Sequence, residues 1–178
     1  MKQNKLILVI GGGRSGKSAY AEGLTCELSE SRCYVATAPV CDAEMAERIR
    51  RHRERRANRH WTTVEEECDL ASALRRAAET GAGAALIDSL TVWIGNLMYR
   101  DAALDEDRFA ALCGEFLDAA RRQPFPVVMV IDEVGLGLIP ESPVARKFRD
   151  LAGRCAQMAA AEADDVYFMI AGIPMKVK

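Results

Sequence analysis

Five short runs along the chain are almost wholly apolar: KLILVI (5–10), CYVATA (33–38), GAALID (83–88), PVVMVID (126–132) and DVYFMIAG (165–172). They are short and bounded by glycine, proline or charged residues, and several are rich in β-branched side chains. That combination predicts buried strands. Between the runs, apolar positions recur every three or four residues. This spacing predicts helices over 17–30, 42–56, 70–79, 90–100, 105–122 and 142–163. Asp42 is a candidate N-cap followed by an acidic first turn, and Pro143 stands near the first position of the last helix, where its missing N–H is not needed. Strands apolar on both faces that alternate with helices belong to a parallel sheet covered on both sides. The expected fold is a doubly wound α/β domain.

Composition changes this picture little. At 178 residues the chain is expected to be a single domain, 1–178. A net charge of -2 gives no support to a general polyanion-binding role, so no nucleic-acid partner is expected. No apolar run is long enough to span a bilayer. The opening MKQNKLILVIGGG lacks the longer apolar region and small-residue cleavage site of an export signal. Cys26, Cys33, Cys41, Cys68, Cys113 and Cys155 are scattered without a CxxC pair. They read as reduced, core-filling thiols of a cytoplasmic protein.

The first strong chemical signal is GGGRSGKS (11–18). It fits G-x-x-x-x-G-K-[ST] at Gly11, Gly16, Lys17 and Ser18, after a predicted strand and at the opening of a predicted helix. Glycines let the backbone fold around an anion with its N–H groups pointing inward, and the helix N-terminus adds its positive end. Lys17 would reach the β- and γ-phosphates, and Ser18 would ligate Mg²⁺. Such a site wants an acidic residue at a strand end. Two are available: Asp88, closing AALID, and Asp132, closing VVMVID and followed by Glu133. By pattern the second is the better match, and either also suits a solvated strand-to-helix turn or a helix cap.

The second signal is RIRRHRERRANRHW (48–61), which gathers both histidines of the chain among seven arginines. On a helix, Met45, Ile49, His52 and Arg56 share one face, with Arg48 and Arg55 one turn to either side of His52. Clustered cations disfavour the imidazolium, which predicts a neutral imidazole able to act as a nucleophile. The same arginines suit bidentate phosphate contacts. The pattern also fits a solvated helix face, or an arginine-rich arm for nucleic acid, although the segment begins with an acidic turn. His60, beside Trp61, reads as a packing or loop residue.

Together these segments resemble one family end to end. They are LVIGGGRSGKSAYAE (8–22), YVATA (34–38), DAEMAERIRRHRERR (42–56), HWTTVEE (60–66), LIDSLTVWIGNLM (86–98) and the block from DEVGLGLIPES to GIPMKVK (132–178). The chain resembles the bifunctional adenosylcobinamide kinase / adenosylcobinamide-phosphate guanylyltransferases of cobalamin biosynthesis. The resemblance implies a RecA-like P-loop NTPase fold, with a mostly parallel central sheet flanked by helices, in a cytoplasmic homotrimer. It implies two reactions. A nucleoside triphosphate phosphorylates the aminopropanol hydroxyl of adenosylcobinamide, and a histidine then carries GMP from GTP to the adenosylcobinamide phosphate. GTP, ATP and Mg²⁺ are the implied cofactors and a corrinoid the implied substrate.

Carried over by position, the guanylylated histidine is His52, with Lys17 as the other catalytic residue. The nucleotide contacts are Gly11, Gly12, Gly13, Arg14, Ser15, Gly16, Lys17 and Ser18; Ala36, Thr37 and Ala38; Arg53, Glu54, Arg55 and Arg56; Glu65; and Asp88. Metal ligands fall on Ser18 with Asp88 or Asp132. The C-terminal GIPMKVK matches the family's own ending, so the domain is expected to be complete. This chain departs from the family pattern at Asp132, where asparagine is usual, and at Ala156, also in place of asparagine. Spacing after His52 leaves Glu66 and Glu67 as rivals of Glu65. From the motifs alone, two other readings stand: a P-loop kinase of another small metabolite, which needs no nucleophilic histidine, and a RecA-like ATPase or nucleic-acid-binding module.

Overall fold

The computed structural model describes residues 4–39, Glu47, Arg50, Glu54 and 60–178. The expected α/β architecture with a mostly parallel central sheet is present and agrees with a RecA-like P-loop fold. The strands are β1 (Leu6–Gly11), β2 (Arg32–Ala36), β3 (Trp61–Glu65), β4 (Ala84–Asp88), β5 (Val127–Asp132), β6 (Asp165–Ile170) and β7 (Ile173–Lys176). The helices are α1 (Lys17–Leu28), α2 (Leu70–Glu79), α3 (Leu90–Arg100), α4 (Glu106–Arg121) and α5 (Pro143–Glu162). Within the predicted helix 42–56, Glu47, Arg50 and Glu54 are helical, and Arg50 pairs with Glu47 at 2.7 Å and with Glu54. Asp42 and the other residues of that segment lie outside the described residues.

The seven strands form one sheet in the order β3-β2-β4-β5-β1-β6-β7. All neighbouring pairs are parallel except β6 and β7. The alternation of side chains along a strand explains why both faces must be covered. Leu6 and Leu8 join one buried cluster, whereas Ile7 and Val9 join another on the opposite face. The first cluster is roofed by α2 to α5 and contains Trp93, packed 5.8 Å from the ring centroids of both Phe109 and Phe116. The second is covered by α1 through Tyr20, Ala21, Leu24 and Leu28. Removing Trp93 to alanine would cost about 3–5 kcal/mol, the range for a large buried aromatic.

Two strands escaped the sequence pattern. WTTVE makes β3, an edge strand with one buried side chain, Val64. IPMK makes β7, whose residues are all exposed and which tolerates Pro174 because it is an edge. Two strands also end two residues early. β2 ends at Ala36 rather than 38, because Ala36 makes the last ladder pairs, with Glu65 and Asp88. β6 ends at Ile170 rather than 172, because Ala171 and Gly172 have φ of 50 and 84 and leave the ladder. A two-residue loop with both φ positive is the tight hairpin turn whose twist suits an antiparallel pair.

The strand order has a functional consequence. β1 lies between β5 and β6, and the chain leaving it must pass two strands to reach β2. The chain leaving the adjacent β5 runs the opposite way, to β6. In open parallel sheets such a reversal leaves a crevice at the carboxyl ends of the strands, and ligands bind there.

Candidate nucleotide site

Gly11 closes β1 in register with Asp132 of β5. Its backbone is closely surrounded. A Cβ there would stand 2.6 Å from Ser15 Oγ and 2.9 Å from both Cβ and O of Met169. The chain then turns through Gly12, Gly13, Arg14 and Ser15, with the Ser15 N–H donating to the Gly12 carbonyl at 3.2 Å. Gly16, at φ 90, is the N-cap of α1 and offers no side chain to the helix's first amides. The other four described helices are capped by Asp69, Ser89, Asp105 and Ser142. The first amides of α1 are thus left to an anion, with the helix dipole behind them.

Lys17 follows directly. Its ammonium lies 3.4 Å from the Gly12 carbonyl and forms an ion pair with Asp132. The Lys17 side chain is mostly enclosed, whereas Asp132 is more open. Ser18, one residue on, is half-buried. Asp132 is held in turn by its own N–H, which donates to Thr91 Oγ1 at 2.6 Å, and the ladder is prolonged by the Glu133 N–H to the Gly11 carbonyl at 2.9 Å.

The second acidic candidate, Asp88, ends β4 level with Ala36 and, on the other side, with Val130. It therefore sits two residues short of Asp132 along the neighbouring strand. Tyr34 Oη donates to Asp88 at 3.2 Å. Of the two, Asp132 is the one brought to Lys17. Among the described residues, no three His, Cys, Asp or Glu side chains converge as a metal site. Mg²⁺ in nucleotide sites takes one or two protein carboxylates and completes its shell with phosphate oxygens and water. The hard oxygen donors of Ser18, Asp132 and Asp88 fit that mode.

Thr37 is fully buried, and its hydroxyl donates to the Ser89 carbonyl at 2.9 Å and accepts the Ser89 N–H at 2.8 Å. Its side chain therefore joins the ends of β2 and β4. Ala38, one residue on, is half-buried. The Thr37 carbonyl accepts from Asn96 Nδ2 at 2.8 Å, which also donates to the Glu67 carbonyl at 3.0 Å. Glu65 ends β3 with its side chain exposed. Its two rivals are Glu66 and Glu67. Glu66 accepts the N–H groups of Cys68 and Asp69, both at 3.0 Å, and pairs with Arg76 at 2.8 Å; Glu67 pairs with Arg100 at 3.3 Å. Burial pushes the Glu66 carboxyl up, but those two amides with Arg76 and Arg100 outweigh it and hold it below its ordinary value.

His52, Arg53, Arg55 and Arg56 lie outside the described residues. Glu54 is exposed and paired with Arg50. His60 is an exposed turn residue at φ 53 whose carbonyl accepts the Arg32 N–H at 3.3 Å, as expected of a loop histidine. Thr91, Asn96 and Tyr34 hold the site and were not singled out from the sequence. Their types are common inside helices and strands, and only their partners give them a role.

A glycine loop that leads from the first strand into an uncapped helix, with its lysine beside an acidic strand end, defines a P-loop nucleotide-binding protein. Residues 7–177 match the family described as cobinamide kinase / cobinamide phosphate guanyltransferase, and the chain belongs to it. Among curated relatives, the bifunctional adenosylcobalamin biosynthesis protein CobP of Pseudomonas aeruginosa is 40% identical, over 96% of this chain and 96% of the relative. The bifunctional adenosylcobalamin biosynthesis proteins CobU of Escherichia coli and Salmonella typhimurium are 39% and 38% identical, each over 97% of this chain and 99% of the relative. The resemblance found in the sequence is borne out. No described helix is long and apolar enough to cross a membrane.

Proposed function

We propose that this chain performs both reactions in its family's description, within one unit built on residues 1–178. The observation that carries the proposal is the match of residues 7–177 to that family. In the kinase step, ATP or GTP lies with its phosphates on residues 11–18. The aminopropanol oxygen of adenosylcobinamide attacks the γ-phosphorus, its bond to the nucleoside diphosphate breaks, and the hydroxyl proton is released. Lys17 and the loop amides balance the charge on the phosphates. Bound Mg²⁺, held by Ser18 with Asp132 or Asp88, would supply further charge neutralisation.

In the guanylyltransferase step, a nitrogen of His52 attacks the α-phosphorus of GTP and pyrophosphate leaves. The phosphate of adenosylcobinamide phosphate then displaces the histidine from phosphorus, giving adenosylcobinamide-GDP. Arg53, Arg55 and Arg56 serve phosphate binding, in keeping with their charge. Glu65, which ends β3 with its side chain exposed, is the proposed nucleotide-facing carboxylate. The proposed assembly is a cytoplasmic homotrimer. The exposed Leu136, Leu138, Ile139 and Ile173 are consistent with surface reserved for a subunit contact.

Covalent labelling tests the proposal. The protein and a His52→Ala variant are incubated with Mg²⁺ and GTP labelled at the α- or γ-phosphate, then denatured. Acid-labile, alkali-stable label from the α-phosphate alone, absent in the variant, is expected. No protein-bound label while nucleotide still binds would remove His52 from covalent chemistry.

A further inference from the structure

The phosphate loop rests on a second element that the motif does not include. The N–H of Gly172, in the turn between β6 and β7, donates to the carbonyl of Ser15 at 2.9 Å. The two backbones touch at the next residue as well: a Cβ on Gly16 would stand 3.2 Å from Gly172 Cα. The start of the loop meets the same hairpin, since Gly11 is closed in by Met169 of β6.

We propose that the Ala171–Gly172 turn is a positioning element of the phosphate loop, and that Gly172, by holding the Ser15 carbonyl, aims the Gly16 N–H at the bound phosphate. The Ser15 carbonyl and the Gly16 N–H belong to one planar peptide. The Ser15–Gly16 peptide is trans, and in a trans peptide the two groups point in opposite directions. A carbonyl fixed toward the hairpin therefore fixes the Gly16 N–H away from it, toward the interior of the loop. Gly16 has φ 90 and no Cβ, so nothing in its own side chain sets that orientation.

The hairpin is firm enough for this task. Its register runs from Ile170 opposite Ile173 to Tyr167 opposite Lys176. Lys176 is paired with Asp165 at 2.6 Å, Lys5 of the segment before β1 binds the same carboxylate, and the Lys176 ammonium lies 6.0 Å from the centre of the Tyr167 ring. The turn itself needs positive φ at both residues, which glycine adopts freely and asparagine tolerates, but a β-branched residue does not. A Cβ at Gly172 would meet nothing within 4 Å. A substitution there thus acts through the backbone alone.

The proposal rests on residues 11–18 being a phosphate loop, and inorganic tripolyphosphate is the probe for both. Coupling between sites is reciprocal: if the turn aims the amide, an anion on that amide must strengthen the bond from Gly172 to Ser15. Amide exchange at Gly172, followed by NMR in the full chain, is expected to slow about tenfold on saturation. In Gly172→Val the Kd for tripolyphosphate is expected to rise about tenfold, and in Gly172→Asn to return to within about twofold of the parent. An unchanged exchange rate at Gly172, with the anion visibly bound at Gly16 and Lys17, overturns the coupling and leaves the phosphate loop standing. Equal affinity in the parent and Gly172→Val does the same. Absence of any tripolyphosphate binding overturns the phosphate-loop reading, and the proposal with it.

Discussion

The ammonium of Lys17 is ion-paired with the carboxylate of Asp132, one strand away from the loop that carries it. The pair stands where the charges of a nucleotide triphosphate would arrive. An incoming phosphate gains the lysine and meets the aspartate, so Asp132 opposes a bare anion. Asp132→Asn keeps the shape and removes that opposition. Nucleotide without Mg²⁺ is expected to bind roughly three- to tenfold more tightly to the variant, read by calorimetric titration in chelator. Lys17→Ala is expected to weaken binding roughly a hundredfold, the scale of a lost charge-assisted contact. Unchanged chelator-state affinity in Asp132→Asn would show that the carboxylate does not face the phosphates.

Neighbouring glycines of the loop differ in what they permit. Gly11 is enclosed by Ser15 and Met169, whereas a Cβ on Gly13 meets nothing within 4 Å and its φ is not positive. Gly11→Ala must therefore move β1 or β6 apart, at about 1–3 kcal/mol. Gly13→Ala is expected to change stability by less than about 0.5 kcal/mol. Urea unfolding of the two variants separates them, and equal stabilities would contradict the packing around Gly11.

Asn96 joins two loops by one amide group, donating to the carbonyls of Thr37 and Glu67. Asn96→Ala leaves both carbonyls without this partner, at an expected cost of about 1–3 kcal/mol. The loops after β2 and β3 carry Ala38 and the end of Glu65's strand. Nucleotide affinity should therefore fall along with stability. A variant with parental melting behaviour would show that water replaces the side chain without loss.

The acid limb of the stability curve should depend on Asp165 and Asp164. Burial raises the Asp165 carboxyl, but its bonds to Lys176 and Lys5 outweigh that and hold it below the ordinary 3.8. Asp164 is likewise raised by burial and lowered further by the Leu6 N–H and Arg121, which lie 2.8 and 2.9 Å away, and so also rests below 3.8. A carboxylate depressed in the folded state contributes stability that is full above its unfolded value and is lost as pH falls through the folded one. Stability should thus decline below pH 3.8, and an Asp164→Asn, Asp165→Asn double variant should be less stable at neutral pH with a shallower decline in acid. Melting temperatures across that range test this; parallel curves for parent and variant would remove both carboxylates from the linkage.

The runs 5–10, 83–88, 126–132 and 165–172 were legible as strands because a central parallel strand buries both faces and so leaves a continuous apolar signature. The phosphate loop was legible because its chemistry demands particular residues at particular spacing within residues 11–18, directly at the end of the first strand, and both acidic strand ends could be named. WTTVE and IPMK were not legible as strands, since an edge strand exposes one side and most of its side chains carry no burial signal. Nor did the chain order reveal that Asp132, rather than Asp88, meets Lys17. That follows from β5 lying beside β1, a pairing that only the packed sheet fixes. Thr37 was named only through the resemblance, and nothing in the sequence showed that its hydroxyl bonds the backbone of Ser89. Gly172 read as part of a strand, yet it buttresses the phosphate loop. Local patterning thus determined which segments are buried and which one carries the phosphate-loop motif. Only the tertiary structure decided which distant groups meet, because hydrogen bonds and ion pairs between far-separated residues are set by strand order and register, not by sequence spacing.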